Sequence, residues 1–270
     1  MIVLVCNVGS TSLKFKLYDM PEARVLAVSG IERVGSDHDA IFRYERCADG
    51  KKDSFEKGDI PTYESGIRLF LDYLTSSEYG VIQDVKEIER VGYKATLSKG
   101  HLGVHELDEE VLKGMEDWIS LAPLHNRAYL SAIEVMRSFL SDAKFIGCFE
   151  TAFHQTIPMG RKIFGVPYEW YEKYGVQRLG YHGASHGYIA DVLNEKNPEY
   201  SAISCHLGGS CSICAIENGK SVDTSFGMSL DMCFLHMTRN ITGFLDRCQF
   251  FRYRPDMFRC LISRSIQYIV

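Results

Sequence analysis

Asn7-Val8-Gly9-Ser10-Thr11-Ser12-Leu13-Lys14 is the stretch from which the fold of this chain is read. It follows Ile2-Val3-Leu4-Val5 and runs into Phe15-Lys16-Leu17-Tyr18. Apolar run, Gly/Ser turn and second apolar-alternating run predict a β-hairpin. Side chains alternate along a strand, so Ser10, Ser12 and Lys14 share one face while Leu13, Phe15 and Leu17 share the other. A bare glycine, two hydroxyls and a lysine on one side form an anion cradle, with backbone N–H groups and an ammonium for phosphate oxygens. The competing reading is an ordinary polar turn, since short motifs match by chance.

Working outward, the 270 residues are enough for a substantial core and favour about two domains. The formal net charge of −5 lacks the basic excess of a nucleic-acid binder. No apolar run reaches the roughly 20 residues of a membrane span. Met1 leads directly into the first strand, without the basic region and cleavage site of a signal peptide. These features predict a cytoplasmic protein with neither nucleic-acid nor membrane partners. Nine cysteines, several in strand-like runs (Cys6, Cys148, Cys205), are then expected as small core residues. Cys211 and Cys214 have C-x-x-C spacing, but a strand there would put the two thiols on opposite faces.

Further strands are expected at Arg24-Val25-Leu26-Ala27-Val28 and Ile41-Phe42-Arg43-Tyr44, and a helix around Ile67 to Leu74. Glu89-Arg90-Val91-Gly92-Tyr93 predicts a short strand opening a loop through Lys94, Thr96, Ser98 and Gly100. Tyr129, Ile133, Met136 and Leu140 recur at helical spacing, placing an amphipathic helix after His125-Asn126. Lys144-Phe145-Ile146-Gly147-Cys148-Phe149 predicts a buried strand ending at Glu150-Thr151. Residues 201–216 then repeat the opening pattern of strand, Gly-rich loop and strand, and Asn218-Gly219 turns the chain back. Two such units, each leading its own block of strands and helices, predict an α/β protein of two related halves. Residues 247–270 break the pattern, with five arginines, Asp256 as the one acid and no glycine.

The blocks Asn7 to Phe15, Ala122-Pro123-Leu124-His125-Asn126 and Glu150-Thr151-Ala152-Phe153-His154-Gln155-Thr156 resemble the acetate kinase family of short-chain carboxylate kinases. So do Gly180-Tyr181-His182-Gly183-Ala184-Ser185-His186, Cys205-His206-Leu207-Gly208-Gly209-Ser210 and Asn218 to Ser225. The resemblance implies the actin-like, sugar-kinase-like α/β fold of two ribonuclease-H-like domains, here residues 1–150, an incomplete second domain at 151–240, and a divergent tail at 241–270. It implies ATP and Mg2+ as cofactors and transfer of a phosphoryl group to a small carboxylate, giving an acyl phosphate. By resemblance, Asn7 serves the magnesium, and Ser10, Ser12 and Lys14 the nucleotide phosphates. His206, Leu207, Gly208, Gly209 and Ser210 form a second phosphate loop, and His182 donates to the transferring phosphoryl oxygens with catalytic Arg239 beside it. Glu150 supplies a catalytic carboxylate, while Lys94 and His125 serve the carboxylate substrate. Structural roles compete with several of these: a solvated lysine at 94, a helix cap at His125, satisfied histidines at His154 and His186.

Three departures stand out. Glu150 replaces the family's aspartate, carrying its carboxylate one methylene further; misplacement by about 1 Å can cost on the order of 100-fold in rate. Tyr93-Lys94 replaces His-Arg, and lysine offers a point charge where arginine grips a carboxylate bidentately. Family members are also longer, and residues 241–270 resemble none of the remainder, as in a truncated or frame-shifted member. Two expectations follow: a working carboxylate kinase, or an impaired remnant retaining phosphate or partner binding. The dimer usual in the family carries over only if its surface lies in the part present.

Overall fold

The opening hairpin forms where the alternation requires it. Strands β1 (Ile2–Val8) and β2 (Ser12–Asp19) pair antiparallel, with Asn7 opposite Lys14 and Val8 opposite Leu13. The structure, a computed structural model, describes residues 1–208 and 210–228. The chain divides into two units, Met1–Phe149 and Glu150–Val270, and each is described by itself.

In the first unit the antiparallel run continues through β3 (Arg24–Glu32), β4 (Ser36–Arg46) and β5 (Lys51–Ile60). Helix α1 (Tyr63–Thr75) follows, its first turn closed by Thr62, whose hydroxyl accepts from the Ser65 amide. The chain then returns as β6 (Ile88–Ala95), parallel to β1, and after β7 (Val104–Glu106), α2 (Glu109–Asp117) and α3 (Pro123–Phe139) as β8 (Lys144–Phe149), parallel to β6. The eight strands lie in the order β5-β4-β3-β2-β1-β6-β8-β7. The core joins one sheet face, with Leu4, Cys6, Leu13, Phe15, Leu17 and Phe42, to apolar residues of α1 and α3 such as Ile67, Phe70, Ile133 and Met136. Phe15 of β2 stacks on Phe70 of α1 with centroids 4.3 Å apart and planes 9° apart.

In the second unit, α4 (Met159–Lys162) and α5 (Tyr168–Tyr174) precede α6 (Gly183–Lys196). A three-stranded antiparallel sheet follows in the order β11-β10-β9, from β9 (Ser201–Leu207), β10 (Cys211–Glu217) and β11 (Lys220–Thr224). Ala190 of α6 packs with Ala202, Cys214 and Ile216 of the sheet.

Several expectations need correction. Lys94 is not in a loop: parallel pairing opposite Cys148 extends β6 to Ala95, and Tyr93, Lys94 and Ala95 continue the in-out alternation. Helix α3 begins before His125, because Pro123 suits the first helical position, where its missing N–H costs nothing. Cys148 is exposed rather than a core residue, since it lies on the sheet face opposite the core. Strand β10 does put Cys214 inside and Cys211 on the other face. Gly209, Arg239 and the tail at 241–270 lie outside the described residues.

The Phe15–Phe70 stack gives a stability prediction. Phe70→Ala empties a fully buried site and is expected to cost about 3–5 kcal/mol. Urea denaturation followed by tyrosine and tryptophan fluorescence measures it, and a loss under about 0.5 kcal/mol, the range of a surface substitution, refutes this account of the core.

Candidate functional site

The turn between β1 and β2 is fixed by its backbone and leaves its side chains uncommitted. The Gly9 amide donates to the Ser12 carbonyl at 2.8 Å, and the Tyr63 hydroxyl reaches the Gly9 and Ser10 carbonyls at 2.8 and 3.0 Å. A Cβ at position 9 would fall 2.5 Å from Ser12 Oγ, so glycine is required for that serine to fold back over the turn. Asn7, Ser10 and Lys14 are exposed and Ser12 is half-buried. None of the four side chains has a hydrogen-bond or ionic partner among the described residues. A rigid turn bearing an amide, two hydroxyls and an unpaired ammonium can receive an anion at low ordering cost. Tyr63 had no signal in the local sequence, because its partners lie more than fifty positions away.

Elsewhere in this unit, Lys94 is exposed at the end of β6, and His125 is exposed in the first turn of α3. Asn126, beside it, is fully buried and donates through Nδ2 to the Leu97 and Met115 carbonyls at 3.1 and 2.8 Å. It ties the start of α3 to the end of α2 and to the chain after β6, a role the sequence did not reveal.

The second unit gathers four histidines. His182 sits just before α6 with φ 58°, a left-handed conformation. Gly183 follows because a Cβ there would lie 2.0 Å from the Glu150 carbonyl oxygen. His182, Ser185 and His186 are spaced i, i+3, i+4 and share one side of the helix start. Opposite them, Ser204 and His206 of β9 and Ser212 of β10 share one sheet face, with His206 directly across from Ser212. His182 Nδ1 lies 2.8 Å from Ser212 Oγ, and His186 bridges Ser204 (Nδ1, 2.8 Å) and Ser212 (Nε2, 2.8 Å). His206 Nδ1 meets Ser185 at 3.0 Å, and its ring stacks on His182 at 3.9 Å and 19°. Leu207 ends β9 exposed and Gly208 follows it exposed, while Ser210 is half-buried.

His154 belongs to the scaffold. Its Nε2 donates to the Tyr181 carbonyl at 3.0 Å, since a carbonyl can only accept, and its Nδ1 therefore accepts from Ser221 at 2.9 Å. Burial holds the His154 ring well below the usual histidine range, at about 4. Burial, reinforced by His154, His182 and His206, pushes His186 down to about 2. Both rings are neutral. Glu150 is half-buried at the start of the unit, and Arg178 forms an ion pair with Asp223.

A mixed eight-stranded sheet led by a Gly/Ser hairpin, and a second unit with a three-stranded sheet led by another, define the class as an α/β protein of two units. More narrowly, this chain belongs to the acetokinase family, whose sequence pattern matches residues 2–240. It is 40% identical over 234 residues to the acetate kinase of Caldanaerobacter subterraneus subsp. tengcongensis, covering 85% of this chain and 58% of that one. Among solved structures, the acetate kinase of Porphyromonas gingivalis matches with a TM-score of 0.72 at 35% identity, and a propionate kinase of Francisella tularensis with 0.74 at 26%. Each covers 85% of this chain and 58% of the other. The chain thus spans a little over half the length of the relatives it matches. Among the described residues no helix is long and apolar enough to cross a membrane.

The neutral histidines make acid stability a test of this geometry. A ring neutral when folded but charged when unfolded lets the unfolded state bind more protons, so stability rises with pH. It must therefore fall as pH drops below about 6.5, the ordinary histidine value. His154 contributes down to about pH 4 and His186 down to about 2. Each adds a slope of up to about 1.4 kcal/mol per pH unit. Urea midpoints between pH 7 and 4.5 should fall on this account and fall less steeply in His154→Gln; identical profiles for the two proteins refute a neutral buried His154.

Proposed function

We propose that this chain carries the phosphate-handling residues of an ATP-dependent carboxylate kinase, which moves the terminal phosphoryl group of ATP to a small acid such as acetate or propionate. The observation that carries the reading is the His182 ring, locked by Ser212, stacked on His206 and leading a helix at a glycine that admits no side chain. Phosphoryl transfer requires positioned donors for charge on the equatorial oxygens, more than it requires covalent chemistry. His182 is the donor proposed for those oxygens, and Arg239 its companion.

The uncommitted Ser10, Ser12 and Lys14 fit nucleotide phosphates, and residues 206–210 fit a second phosphate loop. ATP supplies the transferable group, and Mg2+ the neutralising charge on its phosphates. Among the described residues no cluster of three or more His, Cys, Asp or Glu is arranged to hold a metal ion. That suits a magnesium held mainly by phosphate oxygens and water, with the Asn7 amide oxygen as one added ligand. Lys94 and His125 are assigned to the acid, with Lys94 as a point charge for its carboxylate. Glu150 is assigned the catalytic carboxylate. A cytoplasmic setting and use of the chain without nucleic-acid partners go with this reading.

The 58% coverage of the relatives favours a second reading, in which the chain binds phosphate without turnover. A coupled assay with ATP, Mg2+ and acetate, propionate or butyrate separates the two, run beside calorimetric titration with ATP. Acyl phosphate is expected, with His182→Ala reducing kcat by roughly 100- to 1,000-fold, as loss of a transition-state donor does. Lys94→Arg, restoring a bidentate grip, is expected to lower KM for the acid on the order of tenfold, or about 1.4 kcal/mol. No turnover with any acid leaves the second reading if ATP still binds, and neither if it does not.

A further inference from the structure

The hydrogen bonds behind His182 can be assigned atom by atom. His186 is buried and neutral, so it has one N–H and one lone pair, and both ring nitrogens meet serine hydroxyls at 2.8 Å. Ser212 is fully buried between His182 and His186, and its single hydrogen can go to only one of them. The chain Ser204–His186–Ser212–His182 therefore has two polarities.

In the first, Ser204 O–H donates to His186 Nδ1, His186 Nε2–H donates to Ser212 Oγ, and Ser212 O–H donates to His182 Nδ1. Every hydrogen passed along the relay has an acceptor. In the second, His182 Nδ1–H donates to Ser212, Ser212 donates to His186 Nε2, and His186 Nδ1–H donates to Ser204. The Ser204 hydrogen then needs another acceptor, and this buried hydroxyl has no partner among the described residues besides His186. A buried donor left unpaired is penalised, so the first polarity wins.

We infer that Ser204, His186 and Ser212 form a one-way hydrogen-bond relay that holds His182 as the Nε2–H tautomer, making them positioning residues for a donor to phosphoryl oxygens. The functional half of this inference rests on the carboxylate-kinase reading; the tautomer does not. With Nδ1 occupied as an acceptor, the ring proton of a neutral His182 resides on Nε2, the nitrogen a transferring phosphoryl oxygen would meet. Placing a second proton on Nδ1 would reverse the relay and strand the Ser204 hydrogen. The relay therefore favours a neutral donor over an imidazolium.

The test is long-range 1H–15N correlation of the full chain labelled with 15N at its histidine rings, with the His182 signals assigned by their loss in His182→Gln. Wild-type protein is expected to show His182 protonated at Nε2 and unprotonated at Nδ1. Ser204→Ala touches only the far end of the relay and removes the group that sets its direction, so His182 should shift to a mixture of tautomers. Ser204→Thr, which keeps the hydroxyl, should restore the wild-type pattern. Ser212→Ala should also release His182; if that variant does not fold, the Ser204 pair decides. A wild-type His182 protonated at Nδ1, or a His182 pattern unchanged in folded Ser204→Ala, overturns the relay. Absence of turnover with the expected tautomer present overturns the kinase reading and leaves the relay standing.

Discussion

A buried neutral imidazole has one hydrogen to give and one lone pair to offer, and the second unit depends on where His154 puts them. Its N–H holds the carbonyl of Tyr181, one residue before His182, and its lone pair takes the Ser221 hydroxyl of β11. Ser221, having given its hydrogen, accepts the Cys214 thiol of β10 at 3.3 Å. Thr156 adds a hydroxyl bond to the Ser221 carbonyl at 2.7 Å. Segments nearly seventy residues apart are thus locked through groups that water cannot replace, because His154 is almost wholly buried. This polar network fixes the loop before the helix together with apolar packing, in which Tyr181 lies against Phe226 with ring centroids 4.6 Å apart.

The first unit solves the opposite problem. There a broad apolar core under α1 and α3 holds the sheet, and the polar side chains of the opening turn are spared any structural duty. Tyr63 and the Gly9–Ser12 bond fix the backbone of the turn instead. Ser10, Ser12 and Lys14 therefore keep their hydrogen-bonding capacity for something outside the unit. In the second unit the corresponding groups are nearly all committed to one another, and the histidine they support inherits a fixed tautomer. One unit offers adaptable donors on a rigid turn, the other a donor whose proton is placed in advance.

Local pattern carried much of this. Both hairpins, the helices at Ile67 and Tyr129, and the opposite facing of Cys211 and Cys214 follow from period and turn chemistry that act within a few residues. Strand β5 has little local signal beyond Asp49-Gly50 at its hairpin, because Phe55 is the one apolar residue between Lys51 and Lys57. Lys94 reads locally as loop because its strand is prolonged by a parallel partner more than fifty residues away. Tyr63, Asn126 and Ser221 act only through distant partners and leave no local trace. The histidine cluster was not read as one: His182, Ser185 and His186 stand at helical spacing and Ser204 and His206 at strand spacing, but only tertiary packing brings the two faces together.

The same contacts bear on the exchange of the family's aspartate for Glu150. The Glu150 carbonyl lies where Gly183 leaves no room for a side chain, so the backbone there is pressed against the start of α6. Withdrawing it to absorb an extra methylene would move the loop that His154 and Ser221 hold in place. The added length must therefore be taken up in the glutamate side chain, by folding back or by reaching further. The His182 ring is held from behind by Ser212. The departure thus changes the reach of one carboxylate while the histidine scaffold beside it stays in place. That separates this substitution from one that dismantles the fold.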